Sequence, residues 1–223
     1  ETEIDGADRF SLLGALAGRL AGEKIPVLDG IGQTPSMDDY VAFGAAFAIH
    51  GSVAMYHLSG ITPEAPTLAS AFGGSPVPDA IIIDDDALEA ERRATASGKD
   101  GPVDVVSIGC PHASIAQLRE AAAMIEKSPA TTSPDTVFYI HTNRSTFDDA
   151  AEEGLIDVLT SAGARVTADN CSVVSYDRVP AGARLATNSG KMALFAKSVS
   201  NAEILFGSTE KCIAAGLTGI WNE

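Results

Sequence analysis

Basic residues, aromatic residues and cysteines are all scarce in this sequence, and each shortage excludes something. The 223 residues hold 15 Lys+Arg against 30 Asp+Glu, a formal net charge of −15. A surface so acidic repels phosphate backbones and anionic headgroups, so neither nucleic acid nor a membrane is expected as a partner. A small anionic ligand stays compatible, because it needs only a local basic pocket. The three cysteines, Cys110, Cys171 and Cys212, are too few for a disulfide-built secreted fold. They form no C-x-x-C pair and no zinc-finger spacing. Their odd number fits a reducing compartment, and the expected location is the cytoplasm. It equally fits a site assembled from distant segments. The first ten residues, ETEIDGADRF, lack the basic start and apolar run of a signal peptide. The longest apolar stretch, 41–55, is interrupted by His50 and Gly51 and is too short to span a bilayer.

What is present reads as a folded globule. Hydrophobic residues make up 45% and charged residues 20% of the chain, ordinary values for one large α/β unit or two small ones. Helical spacing over 10–20 ends at Gly22, and 25–28 reads as a short strand. Ser36 with Asp39 forms a capping-box start for a helix to His50. A β-rich run follows at 53–57, and 84–96 reads as a charged helix. The turn-rich stretch 73–78 marks a division into lobes 1–75 and 76–223. Strands are expected at 103–108, 136–140, 165–168 and 203–206. Helices are expected from the Ser114/Gln117 capping box to Glu126, from Ser145/Asp148 to Ser161, and from Ser208 to Leu217. Helices alternating with short apolar strands predict an α/β fold with a mostly parallel sheet and flanking helices.

Reactive side chains gather where these strands end. Cys110 and His112 follow the strand 103–108 and precede the helix capped by Ser114. Ligands of open parallel sheets bind at such carboxyl ends, and a helix start favours a thiolate or a bound anion. Cys171 occupies the loop after 165–168. Two thiolates on convergent loops suit an iron–sulfur or zinc centre; two unrelated buried cysteines are the alternative. Cys212, among Ile213, Ala214 and Leu217, reads as a core thiol. The segment Thr187, Asn188, Ser189, Gly190, Lys191 superficially suggests a phosphate loop. Leu185 stands where a nucleotide-binding loop needs glycine, and Met192 where it needs Ser or Thr, so that reading fails. The segment still offers hydroxyls, an amide and one ammonium that together grip a carboxylate, or else form a solvated turn. His57, near Glu64, and His141, near Asn143 and Arg144, add acid–base candidates at further strand ends.

In order and approximate spacing, the segments HLSGITPEA (57–65), GCPHAS (109–114), DNCSV (169–173), TNSGK (187–191) and KCIAAGLTG (211–219) resemble aconitase X, specifically the C-terminal half of its large catalytic subunit. The resemblance covers essentially all 223 residues. It implies an aconitase-like fold and a hydro-lyase holding an iron–sulfur cluster. Bacterial members dehydrate cis-3-hydroxy-L-proline to a pyrroline-2-carboxylate; archaeal members dehydrate phosphomevalonate. By the same resemblance, Cys110 and Cys171 correspond to cluster ligands; His112 and His57, singled out by their own loops, are the catalytic candidates. Thr187, Asn188, Ser189 and Lys191 correspond to the loop that holds substrate carboxylates. A third ligand, from an Asn-Thr-Cys segment of the family's N-terminal half, does not occur in these residues. A small subunit, or a fused small domain, is the implied partner. The chain is then expected to be a fragment of the catalytic assembly, inactive alone, with homodimerisation through uncovered surface as an option. Two alternatives differ in kind: a thiol enzyme using Cys110 and His112 as nucleophile and base, and a non-catalytic binding domain.

Overall fold

The computed structural model describes residues 6–53, 55–128, 131–175 and 179–222. Contacts divide the chain into two compact units, 1–93 and 94–223. In the first, α1 (Ala7–Ala21), β1 (Val27–Leu28), α2 (Met37–His50), β2 (His57–Leu58), α3 (Leu68–Ala71) and α4 (Asp85–Thr95) follow one another. The expected capping box starts α2: the Ser36 hydroxyl accepts from the Asp39 N–H at 3.2 Å, and the Asp39 carboxylate accepts from the Ser36 N–H at 2.9 Å. Phe10, Leu13, Phe43 and Phe47 are buried, and Tyr56 sets its ring edge-on to both phenylalanines of α2. The α1 and α2 backbones approach so closely that a Cβ on Gly14 would lie 2.3 Å from the Phe43 carbonyl oxygen. The sequence placed the division near residue 75. Contacts place it between Arg93 and Ala94, because α4 is tied back to α1 by ion pairs between Arg9 and Asp85 and between Arg19 and the buried Glu91.

The second unit contains β3 (Gly101–Pro102), β4 (Val105–Ala113), α5 (Ile115–Glu126), β5 (Val137–Thr142), α6 (Arg144–Glu152), α7 (Leu155–Ser161), β6 (Arg165–Ala168), β7 (Arg184–Thr187), α8 (Gly190–Ser200), β8 (Glu203–Phe206), α9 (Thr209–Thr218) and β9 (Ile220–Trp221). Five strands pair in the order β6-β5-β4-β7-β8, every pair parallel, as the alternating pattern predicted. Alternate residues Val106, Ile108, Phe138, Ile140, Ala186 and Leu205 face one core with Leu118, Leu159 and Ile213 of α5, α7 and α9. The intervening positions, among them Ser107, Tyr139 and His141, face the other way. β3 and β9 form a small antiparallel pair beside this sheet's strands in the chain.

Three sequence expectations differ from the structure. The strand starting near 103 does not stop at Ile108; it rejoins β5 and runs to Ala113. The helix predicted from 145 to 161 is two: Asn143, not Ser145, caps α6, and Gly154 in the left-handed region (φ 77°) separates it from α7. The polar segment 187–191, read as a carboxylate-gripping loop or a solvated turn, is the end of β7, the cap of α8 and its first residues. β7 is only Arg-Leu-Ala-Thr, too short and too weakly β-branched to announce itself, yet it lies inside the sheet with its last three residues buried.

Replacing Gly14 by Ala should force α1 and α2 apart and lower stability by roughly 1–3 kcal/mol. Thermal melts measure this. Gly32→Ala is the control: a Cβ there meets nothing within 4 Å, so the melt should be unchanged.

Candidate functional site

The site is built on a departure from regular pairing. Ile108 pairs with Ile140 and Ala113 with Thr142, so β4 takes five steps where β5 takes two. The extra residues leave the sheet and carry Cys110 and His112 outward. Gly109 makes this exit: its φ is 89°, and a Cβ would lie 2.0 Å from the His141 carbonyl oxygen. The Cys110–Pro111 peptide is cis. At the far end, the Thr142 hydroxyl donates to the Ala113 carbonyl at 2.7 Å, closing the excursion. Ser114 then caps α5 with its capping box.

The loop after β6 meets this excursion and is fastened at each residue. Asp169, at φ 54°, accepts from the Arg144 N–H at 2.9 Å and from Nε at 3.1 Å. The Asn170 carbonyl accepts from His112 Nε2 at 3.1 Å; since that carbonyl can only accept, Nε2 carries a proton. Ser172 is buried, 3.0 Å from His141 Nε2 and 2.9 Å from the Ser107 hydroxyl. His141 Nδ1 is 2.7 Å from Thr167 Oγ1, so both ring nitrogens are satisfied. The imidazole stacks on Tyr139. Burial, and then the charge of His112, lower the His141 pKa to about 4, so the ring is neutral at ordinary pH.

Between Asn170 and Ser172 stands Cys171, and its sulfur is hydrogen-bonded to Cys110. Neither cysteine is in a disulfide and both are half-buried. Cys110 donates. That bond, its burial and the neighbouring negative charge push its pKa far above the ordinary thiol range. Cys171 receives. The bond from Cys110 draws its pKa down to about 5 against the opposing effect of burial, with help from the Val173 and Val174 N–H groups and the charge of Lys191. The pair thus shares one proton and one negative charge.

β7 and α8 supply the third wall. The Ser189 hydroxyl caps α8 by accepting from the Met192 N–H at 3.1 Å and donates to the Cys110 carbonyl. Thr187 is fully buried and accepts from the Ser189 N–H at 3.2 Å. Asn188 Nδ2 donates to Thr209 at 2.9 Å. Lys191, half-buried in the first turn of α8, makes no ion pair with a carboxylate among the described residues. Its charge acts on both thiols.

A thiol pair, a cation and a helix start therefore meet at the carboxyl edge of a parallel sheet. Comparison with known proteins identifies the setting. Residues 1–93 match the aconitase X second domain and residues 103–218 the aconitase X third domain. The chain belongs to the aconitase X family. It is 37% identical over 218 residues to a cis-3-hydroxy-L-proline dehydratase of Hypocrea jecorina, covering 96% of this chain and 36% of that protein. It is 34% identical to a protein of the same name in Pseudomonas aeruginosa, covering 94% of this chain and 36% of that protein. It is 36% identical to a phosphomevalonate dehydratase large subunit of Methanothermobacter thermautotrophicus, covering 78% of this chain and 41% of that protein. The crystal structure of Thermococcus kodakaraensis aconitase X in its holo-form superposes with a TM-score of 0.79 at 24% identity, a likeness of fold, over 97% of this chain and 53% of that one. The chain thus spans about a third to a half of its relatives' length.

Of the residues singled out in the sequence, aconitase X's third domain brings together Cys110, Cys171, His112, Ser189 and Lys191. Thr187 and Ser189 engage their hydroxyls with backbone, Thr187 within the loop and Ser189 with both α8 and the Cys110 carbonyl. Cys212 is fully buried in the core, its thiol directed to the Gly207 carbonyl at 3.9 Å. His57 belongs to the other unit, where its buried Nδ1 has no hydrogen-bond partner among the described residues. A cavity of about 520 Å³, lined in part by Asp104, Asp135 and Tyr139, opens at the amino end of the strands and includes none of the predicted site residues. Sequence reading missed Ser107, Thr167 and Ser172, whose hydroxyls hold the Cys171 loop. A serine next to each cysteine-bearing segment is too common a pattern to have signalled it.

Iodoacetamide should alkylate Cys171 before Cys110 and Cys212, with a rate that rises through about pH 5 and is flat at neutrality. Cys110→Ala removes the donor, so the midpoint should move up; mass-spectrometric mapping at several pH values measures both. His141 supplies a second test. The unfolded chain takes up a proton near the ordinary histidine value, roughly 6.5, whereas the folded one does so only at about 4. Its contribution to stability is therefore lost as pH falls across that window. In His141→Gln the fall in melting temperature between those pH values should be shallower.

Proposed function

We propose that this chain is part of an iron–sulfur hydro-lyase that removes water from a small β-hydroxy acid, with cis-3-hydroxy-L-proline as substrate. The observation that carries the proposal is the thiol pair of Cys110 and Cys171 beside Lys191. Two soft donors, free of disulfides and already within hydrogen-bonding reach of each other, fit two ligand positions of an iron–sulfur cluster. Among the described residues no group of three or more His, Cys, Asp or Glu gathers as a metal site. Any further ligand would come from polypeptide outside these residues. When bound, such a cluster supplies Lewis-acid polarisation of the leaving hydroxyl.

The chain's own residues would do the rest of the positioning. Lys191 holds a substrate carboxylate by charge, with Asn188 beside it, while Thr187 and Ser189 keep that loop in shape. The held carboxylate and the ammonium together stabilise negative charge developing after the α-proton is removed. His112 and His57 are the acid–base candidates of this chain. The base that takes the α-proton is assigned to another part of the assembly, as is the small subunit or fused small domain. Two relatives named cis-3-hydroxy-L-proline dehydratase match nearly the whole of this chain, 96% and 94%, at 37% and 34% identity. Phosphomevalonate is the second reading, carried by the Methanothermobacter relative's 36% identity. The thiol-enzyme alternative has less support, because among the described residues His112 is hydrogen-bonded to the Asn170 carbonyl and to neither thiol. No helix among the described residues is long and apolar enough to cross a membrane, and three free thiols suit a cytoplasmic setting.

The test joins the chain to the remaining large-subunit polypeptide and the small subunit, purified without oxygen. Turnover of cis-3-hydroxy-L-proline is expected. Cys110→Ser and Cys171→Ser should each lose it together with iron, and Lys191→Ala should raise KM. Full turnover in protein containing no iron would overturn the proposal.

A further inference from the structure

Residues 76–83 of the first unit, Pro-Val-Pro-Asp-Ala-Ile-Ile-Ile, form no helix, turn or bend and belong to no sheet. None of their backbone N–H or C=O groups is hydrogen-bonded to other backbone among the described residues. The stretch ends sharply, where the Asp84 carboxylate accepts from the Ala87 N–H at 2.9 Å and starts α4. Its side chains are those of a buried strand, yet Ile81 is 67% and Ile82 75% exposed. Successive side chains of a strand point to opposite faces, so as a strand this stretch would be apolar on both, with Ile81 and Ile82 bare and Ile83 half-buried. A strand apolar on both faces is the kind found inside a parallel sheet covered on each side. The same unit is short of strands elsewhere. β1 and β2 pair in parallel over two residues each, with Ile25 and Met55 exposed beside them. A pairing so small does not stand alone in water.

We infer that residues 79–83 are a strand of a larger sheet completed by the first domain of the aconitase X polypeptide, which these 223 residues leave out. The inference rests on family membership, not on the dehydratase reading. Pro76 and Pro78 lack N–H groups, so ladder pairing begins after them. The occupant must supply a neighbouring strand and a cover for both faces, which is domain-sized work and beyond an isolated peptide. The family's domains matched here are the second and third, and 47% of the solved aconitase X chain, the complement of the 53% covered, lies outside this likeness. A second copy of this chain is a poor occupant, because each carries a net charge of −15 and the two repel. A domain on the same polypeptide is instead held nearby at high effective concentration.

Hydrogen exchange read by mass spectrometry tests this without reference to activity. It is measured on the 223-residue chain, on the complete large-subunit polypeptide, and on that polypeptide with its small subunit. The amides of residues 79–83 should exchange as freely as exposed coil in the first. They should slow by roughly 100-fold or more in the second and third alike, as for sheet amides that open only by sub-global unfolding. Four results would overturn the inference: no slowing in the complete polypeptide; slowing already in dilute 223-residue chain, which points to its own third domain; slowing there only at high concentration, which points to a second copy; or slowing only when the small subunit is added.

Discussion

The Ser172 hydroxyl lies between His141 Nε2 and the Ser107 hydroxyl, out of reach of water, and the geometry at the sheet edge follows from that contact. Buried polar groups are costly unless each finds a partner. This cluster meets the requirement only when the loop after β6 folds down onto the sheet. Were the loop to lift away, His141 and Ser107 would each lose a partner at once. The backbone leading into Ser172 therefore has little choice of position, and Cys171, one residue earlier, inherits that restriction. The pairing of the two thiols is thus a consequence of polar satisfaction on the neighbouring residues rather than of attraction between the sulfurs.

The same logic explains how far the sequence could be read. Capping boxes at Ser36 and Ser114 are local, and they start helices where the spacing placed them. The alternation of helix and apolar strand is also local in signal, and it led to a parallel sheet. β7 was illegible because its burial comes from lying between β4 and β8, a fact about neighbours and not about Arg-Leu-Ala-Thr. The convergence of the segments holding Cys110 and Cys171 was suggested by their repeated position after strands, whereas Lys191 followed no strand the sequence announced. Which of these groups spend their hydrogen bonds internally was not legible. Ser189 and Thr187 looked like free hydroxyls, and in the fold each is committed to backbone. Likewise Ser145 looked like a cap, but Asn143 reaches the Thr146 N–H first and takes the role.

The two units differ in how complete they are. The second closes its core around five strands and covers both faces, with α8 on the side opposite α5, α7 and α9. The first depends on the tight meeting of α1 and α2, where Gly14 leaves room for the Phe43 carbonyl. Around that helical pair lie short or unpaired extended segments. Helical hydrogen bonds are satisfied within a segment, whereas strands need a neighbour, so a unit in this condition keeps its helices and exposes its strands.

The outward excursion of β4 bears on the entropy of ligand capture. Most reactive loops leave a strand and end at the next helix with nothing to hold their far side. Here the chain departs at Ile108 and is recaptured at Ala113 by Thr142. A segment tied at both ends within so few residues has few conformations to lose. The cost of ordering Cys110 is borne when the sheet folds, and little of it is left to be charged against whatever later binds there.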